Sequence, residues 1–202
     1  MKTDPRRPYF NSLATEWDCI PSAPNFTGRI WTFLKRSHRA GARRVLDVGC
    51  GTGILVPELL NLYGSATCLV ELDLAEDMLR VNSAKFPGAS IGRVCADAQA
   101  MPFSDACFDL AVCFSALPHM PEKSSAMRQI LRVLHPGGVI CVGHLMGSGV
   151  LNAFHASLGG AVADDHLPSA PQLAGTLESM GAQIVLQEEA PGWYLVQARK
   201  RS

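Results

Sequence analysis

The chain has no surplus of charge, because 18 lysines and arginines face 18 aspartates and glutamates. Without a net field, nothing draws the whole molecule onto nucleic acid or an anionic membrane, and a small-molecule partner is the expectation. No apolar run reaches the length that spans a bilayer. The stretch "MKTDPRRPYFNSL" carries charges but no apolar core, so neither a secretory signal nor membrane insertion is expected, and a cytoplasmic location is. Paired cysteine or cysteine–histidine spacings are missing too, which leaves structural zinc without a sequence basis. Of the seven cysteines, Cys68, Cys95, Cys113 and Cys141 lie in apolar runs and are expected to be reduced thiols filling core positions. There is also no internal repeat, low-complexity tract or linker. With 48% hydrophobic residues, 1–202 are therefore expected to form one domain around one core.

What is present is an alternation. Short β-like runs, "RVLDVG", "ATCLVEL", "SIGRVCA", "FDLAVCFS" and "VICVGHL", are separated by segments of helical length. Helices are expected from Ile54 to Tyr63 before Gly64, from Ala75 to Phe86 before Pro87, and from Glu122 to Leu134 before Pro136. Such βαβ units imply a buried parallel sheet. A further helix, Ser169 to Met180 with Gly181 as its cap, precedes "QIVLQEEA" and "WYLVQARK" around a "PG" turn, and these imply a closing antiparallel hairpin. Residues 1–42 read as two short helices broken at "CIPSAP" that cover a face of the sheet.

The chemistry is expected at the carboxyl ends of the strands, starting with the first strand-to-helix loop. Gly49, Gly51 and Gly53 fall there. A turn of this kind needs positive φ, and a missing Cβ lets a ligand approach the backbone. A tight turn that merely packs helix on strand would look the same. The spacing G-C-G-T-G differs from the G-x-G-x-x-G of dinucleotide sites, and Asp47 stands just before it. A carboxylate there repels phosphate but suits an ammonium group, so a phosphate-free adenosine cofactor fits better than a nicotinamide dinucleotide.

Five phrases in order, "YFNSLATEWD", "VLDVGCGTG", "ELDLAEDML", "ADAQAMPFSDACFD" and "LRVLHPGGVI", resemble the class I S-adenosylmethionine-dependent methyltransferases, in particular the group that includes ubiquinone and menaquinone biosynthesis enzymes. The resemblance implies a Rossmann-like, doubly wound α/β fold with a mostly parallel sheet, the C-terminal hairpin and the N-terminal helical cover. It also implies S-adenosylmethionine as cofactor. The methionine part would lie against Gly49, Gly51 and Gly53 with Asp47 nearby. Asp73 would accept from the ribose hydroxyls, with Glu71 as competitor, and Leu74 and Met78 would pack on adenine. Asp97 and Ala98 would read the adenine edge, and Phe114, with Ser115, would border the reactive methyl. For Met78 and Phe114 plain core packing, and for Asp97 a turn cap, are the competing readings.

The acceptor is less defined. After the fourth strand the chain reads "FSALPHM" where relatives that methylate exocyclic amines or amides carry N/D-P-P-Y/F. The basic run "KRSHRAGARR" is expected to be solvated surface rather than a nucleic-acid patch. His119 follows the fourth strand and His144 ends the fifth, so both are expected at the cofactor face, where an imidazole suits proton removal from a phenol, enol or thiol; a satisfied structural histidine is the competing reading for each, His119 simply orienting its loop. Residues 145–171 form the expected substrate-side insert, with His155 and His166 as substrate contacts. Its histidines, with Asp164 and Asp165, are metal-ligand types without a metal-site spacing, and loop capping explains the aspartates equally. The expected activity is methyl transfer to a small, conjugated or quinone-like acceptor. A noncatalytic cofactor-binding module and a metalloid methyltransferase are the alternatives.

Overall fold

A computed structural model describes residues 4–19, 24–88 and 91–201. In chain order the elements are α1 (Arg6–Leu13), α2 (Phe26–Arg36), β1 (Arg44–Val48), α3 (Val56–Tyr63), β2 (Cys68–Asp73), α4 (Glu76–Lys85) and β3 (Ile91–Cys95). Then follow β4 (Phe108–Phe114), α5 (Lys123–Val133), β5 (Leu134–His144), α6 (Ser148–Leu158), α7 (Ala170–Ser179), β6 (Ala182–Ala190) and β7 (Trp193–Lys200). One seven-stranded sheet runs β3-β2-β1-β4-β5-β7-β6. Its first five strands are mutually parallel, while β7 inserts antiparallel between β5 and β6. This is the doubly wound architecture the alternation implied, and the hairpin turns at Pro191–Gly192, between the paired Ala190 and Trp193.

The central strands are buried on both faces, which is why they read as unbroken apolar runs. On one face Met127, Ile130 and Leu131 of α5 and Leu173 and Leu177 of α7 pack on β4, β5 and β7. On the other, Ile30, Phe33 and Leu34 of α2 join Leu55, Val56 and Leu59 at α3. Chain order reverses on either side of β1, so the carboxyl ends of β1 and β4 diverge and leave a crevice between their loops.

Three expectations need correction. Helix α1 does not cover a face of the sheet; it packs on α4 above the strand ends, and only α2 is a face-covering helix. The expected break at "CIPSAP" lies mostly outside the described residues. Cys68 and Cys95 are exposed, whereas Cys113 and Cys141 are buried as expected. Cys68 opens β2 and Cys95 ends β3 at the open edge of the sheet, where no neighbouring strand covers it. Finally, the insert contains an unanticipated helix, α6, because "SGVLNAFHASL" lacks both charges and a strong start signal. Arg36 pairs with Glu188, and Arg39 approaches Asp109 at 3.9 Å, as expected of a solvated basic surface.

Candidate functional site

Strand β1 ends at Val48, and the glycine loop turns at once because Gly49, Gly51 and Gly53 adopt φ of 72°, 54° and 83°. The Gly49 and Cys50 N–H groups donate to the Leu72 carbonyl at 2.7 and 3.1 Å, and Gly51 N–H donates to Asp73 Oδ2 at 2.8 Å. The loop is thereby pinned to the end of β2. Asp73 Oδ1 accepts from Ala75 N–H at 2.8 Å, so the carboxylate also starts α4. Each oxygen keeps a second acceptor position.

Beyond the strand ends lies a cavity of about 790 Å³, large enough for a nucleoside-sized cofactor and a small second molecule. Asp47, Gly49, Gly51, Asp73, Leu74, Met78, Asp97, Ala98 and Phe114 line it, together with Ser115, His119 and His144. Gly53 is the exception among the expected cofactor contacts. A Cβ there would come within 2.6 Å of Asn82 Nδ2 and 3.0 Å of Phe86, so this glycine lets the loop pack on α4 and does not form cavity wall. The expected contacts His155 and His166 also fall away from the wall. His155 is buried behind His119, ring centroids 5.1 Å apart, with its Nδ1 3.0 Å from the Asp165 carbonyl, and His166 is exposed.

Sequence reasoning missed the roof. Asp4, Arg6, Phe10, Trp17 and Asp18 all line the cavity. The roof is held on by specific bonds: Asp18 accepts from Thr52 Oγ1 at 2.6 Å and from Lys85 Nζ at 2.7 Å, and Asn11 Oδ1 accepts from Asp77 N–H of α4 at 3.0 Å. Aromatic residues at the start of the chain were the available signal. Without a partner helix in sequence, their target was not readable.

Three acids, Asp47, Glu71 and Asp73, cluster at the ends of β1 and β2, the first two buried and Asp73 partly so. Burial, reinforced by the nearby Glu71 and Asp73 charges, pushes the Asp47 carboxyl well up, and its Oδ2 has no partner among the described residues. Burial likewise lifts Glu71 to about 7, against hydrogen bonds from Asn82 and Cys50. Glu71 is fully buried and absent from the cavity wall, which removes it as the ribose acceptor. Burial raises Asp73 too, opposed by the Ala75 and Gly51 N–H groups. A wall with an orphaned carboxylate oxygen, a backbone cradle without Cβ atoms and a buried apolar flank at Met78 fits a cationic adenosine compound and opposes a phosphate.

A consequence follows for the ligand-free protein. Unfolded Glu71 releases its proton near 4.5 and folded Glu71 at about 7, so over that interval the folded state binds more protons and stability falls as pH rises. Urea unfolding from about pH 5 to about pH 8 is expected to lose on the order of 3 kcal/mol from this group, and Glu71→Gln to flatten the slope. An unchanged slope in that variant rejects the assignment.

Two histidines on the wall carry opposite hydrogen-bond roles. His144 Nδ1 accepts from Met146 N–H at 2.9 Å, so in the neutral ring the proton sits on Nε2. Burial, with the neighbouring His119 and His155 adding to it, presses His144 down to about 4 and keeps the ring neutral. His119 Nδ1 lies 2.5 Å from Asp165 Oδ2, an acceptor-only carboxylate, so in the neutral ring the lone pair is on Nε2. Asp97 Oδ1 accepts from Gln99 N–H at 2.8 Å and the Gln99 amide spans both its oxygens, so it caps the turn while lining the cavity. Phe114 is both wall and core, 4.9 Å from the Phe33 ring. Among the described residues no group of three or more histidine, cysteine, aspartate or glutamate side chains could hold a metal, and no helix is long and apolar enough to cross a membrane.

Comparison with known proteins finds similarity to methyltransferases. Residues 46–142 match the family model described as a methyltransferase domain. The ubiquinone/menaquinone biosynthesis C-methyltransferase UbiE of Shewanella sediminis is 33% identical over 151 residues, which cover 70% of this chain and 59% of that protein. Its namesake from Yersinia enterocolitica is 35% identical over 141 residues, 66% of this chain and 56% of that one. The chain thus spans less than two thirds of the length of these relatives. A solved S-adenosylmethionine-dependent methyltransferase from Aquifex aeolicus superposes with a TM-score of 0.70 at 19% identity, over 98% of this chain and 100% of that chain, a likeness of fold.

Proposed function

We propose that the chain, of which residues 46–142 match a methyltransferase domain, is a class I S-adenosylmethionine-dependent methyltransferase that transfers a methyl group to a small conjugated acceptor bearing an acidic hydroxyl. When bound, S-adenosylmethionine supplies an already activated methyl on a sulfonium. The protein then has to exclude water, align the acceptor and see that it is deprotonated. The observation that carries this reading is the pair of complementary histidines on one cavity wall. His119 Nε2 offers a lone pair to take the hydroxyl proton, and His144 Nε2–H offers a donor to the oxygen that becomes negative. Loss of that proton makes the oxygen, and the conjugated ring carbon beside it, the electron-rich atoms. Carbon methylation of a quinone-related ring, the activity in the name of the two relatives, is the finer form of the proposal.

In the same reading Asp47 faces the cofactor's ammonium group, Gly49 and Gly51 its methionine chain, and Asp73 its ribose. Leu74 and Met78 flank the adenine, Asp97 and Ala98 meet its edge, and Phe114 borders the methyl. Arg6 and Phe10 of α1 roof part of the cavity and restrict the approach of water to the transfer. The test is calorimetric titration with S-adenosylmethionine and S-adenosylhomocysteine, followed by assay of S-adenosylhomocysteine release with hydroxylated quinols. Saturable binding with acceptor-dependent release is expected. Binding with no release from any acceptor returns the chain to a noncatalytic binding module. Asp73→Ala is expected to weaken S-adenosylhomocysteine binding by about 1.5 to 3 kcal/mol through loss of charge-assisted hydrogen bonds. Full affinity in a folded variant removes Asp73 from the ribose site.

A further inference from the structure

Of the two acids of the insert, Asp164 and Asp165, only Asp165 is buried. Its side chain is completely buried, whereas Asp164 next to it is exposed. Both of its oxygens are engaged by segments distant in sequence. Oδ1 accepts from Arg6 Nε at 2.8 Å and Nη2 at 2.5 Å, and Oδ2 lies 2.5 Å from His119 Nδ1, positioned to accept a hydrogen bond from the ring N–H. Its carbonyl meets His155, whose ring backs His119. On the other side, the Phe10 ring of α1 stands edge-on to His119 at 5.0 Å. Arg6 is itself steadied by Asp4, whose Oδ1 accepts from the Arg6 N–H at 3.0 Å and lies 3.4 Å from Arg6 Nη1. The roof, the loop after β4 and the insert thus meet at one buried carboxylate.

We propose that Asp165 is a positioning residue: it fixes the His119 proton on Nδ1 and so turns the Nε2 lone pair to the cavity, with Arg6 fixing Asp165 in turn. Its catalytic consequence rests on His119 being the base in the reading above. The hydrogen-bond logic does not. An acceptor-only carboxylate leaves the ring a single choice of neutral tautomer. The site can also be complete only when α1 is seated, because Arg6 and Phe10 belong to the same arrangement.

The arrangement can be inverted by one atom exchange. In Asp165→Asn, Arg6 has only donors and claims the amide oxygen, so the amide nitrogen faces His119 Nδ1 and donates to it. The ring must then carry its proton on Nε2, and the cavity gains a donor where it had a lone pair. A second change, Arg6→Gln, reverses this. Its amide nitrogen stays on Asp4, its oxygen accepts from the new amide at 165, and the oxygen at 165 returns to His119.

The measurement is nitrogen-15 NMR of the histidine rings in the whole 202-residue chain, followed over a pH series and read on the neutral ring. The wild type is expected to be protonated on Nδ1, D165N on Nε2, and the R6Q/D165N double variant on Nδ1 again. With an acceptor in hand, D165N is expected to lose about 10²-fold or more in kcat with KM little changed, and the double variant to regain most of it. A wild-type ring protonated on Nε2, which needs no variant to fold, overturns the proposal, as does a folded D165N with an unswitched ring. A switched ring with unaltered kcat leaves the role of Asp165 standing and overturns His119 as the base.

Discussion

Gly49→Ala is expected to lose about 4 kcal/mol of stability and all measurable S-adenosylhomocysteine binding. Two costs add. At φ of 72° an L-residue is in the left-handed region, and a Cβ built there falls on the Ala116 Cβ. The overlap cannot relax into solvent, because Ala116 opens the turn that carries His119 and packs against the core on that face. The same substitution therefore also displaces the base. Gly51→Ala separates the two costs: φ is 54°, yet the nearest atom to its Cβ is Trp17 Nε1 at 3.9 Å. That variant is expected to fold with a loss of about 1 to 2 kcal/mol and still bind poorly, because its methyl faces the cavity under the roof. Urea unfolding and calorimetry on both variants measure this. Wild-type stability for Gly49→Ala contradicts the packing argument.

The contrast between those two glycines marks what was legible in the sequence. Local physics was: strand β1, the turn after it and helices α4, α5 and α7 fall within a residue or two of where periodicity and stop signals put them. So was the gathering of Asp47, Asp73, Asp97, His119 and His144 at one end of the sheet, since each follows or closes a parallel strand. What failed depended on partners distant in sequence. The glycine spacing does not say that Gly51 faces open cavity while Gly53 meets Asn82. Asp165 read as an ordinary loop charge because its partners, Arg6 and His119, lie 159 and 46 residues away. Cys68 and Cys95 looked like core because apolar runs reveal neither the exposed first residue of a strand nor the edge of a sheet. The direction of each histidine's lone pair depends on a single bond from Met146 N–H or to Asp165, and no periodicity encodes it.

That direction separates two variants which the sequence alone treats as equivalent. His119→Gln is expected to lower kcat by 10²- to 10⁴-fold, roughly the contribution of a positioned general base, while leaving cofactor affinity within about 2-fold. His144→Gln is expected to be far milder, about 10-fold or less, because a glutamine amide still presents an N–H to the acceptor oxygen. The pH dependence sharpens the distinction. His144 lies at about 4 because burial disfavours its charged form, so it stays neutral across the working range and contributes no acid limb to the rate. An acid limb in kcat/KM must therefore survive unchanged in His144→Gln. If the limb instead vanishes with His144 and persists without His119, the roles are reversed: the Met146 N–H bond would have to break during turnover to free Nδ1, and the ring at the end of β5 would be the base.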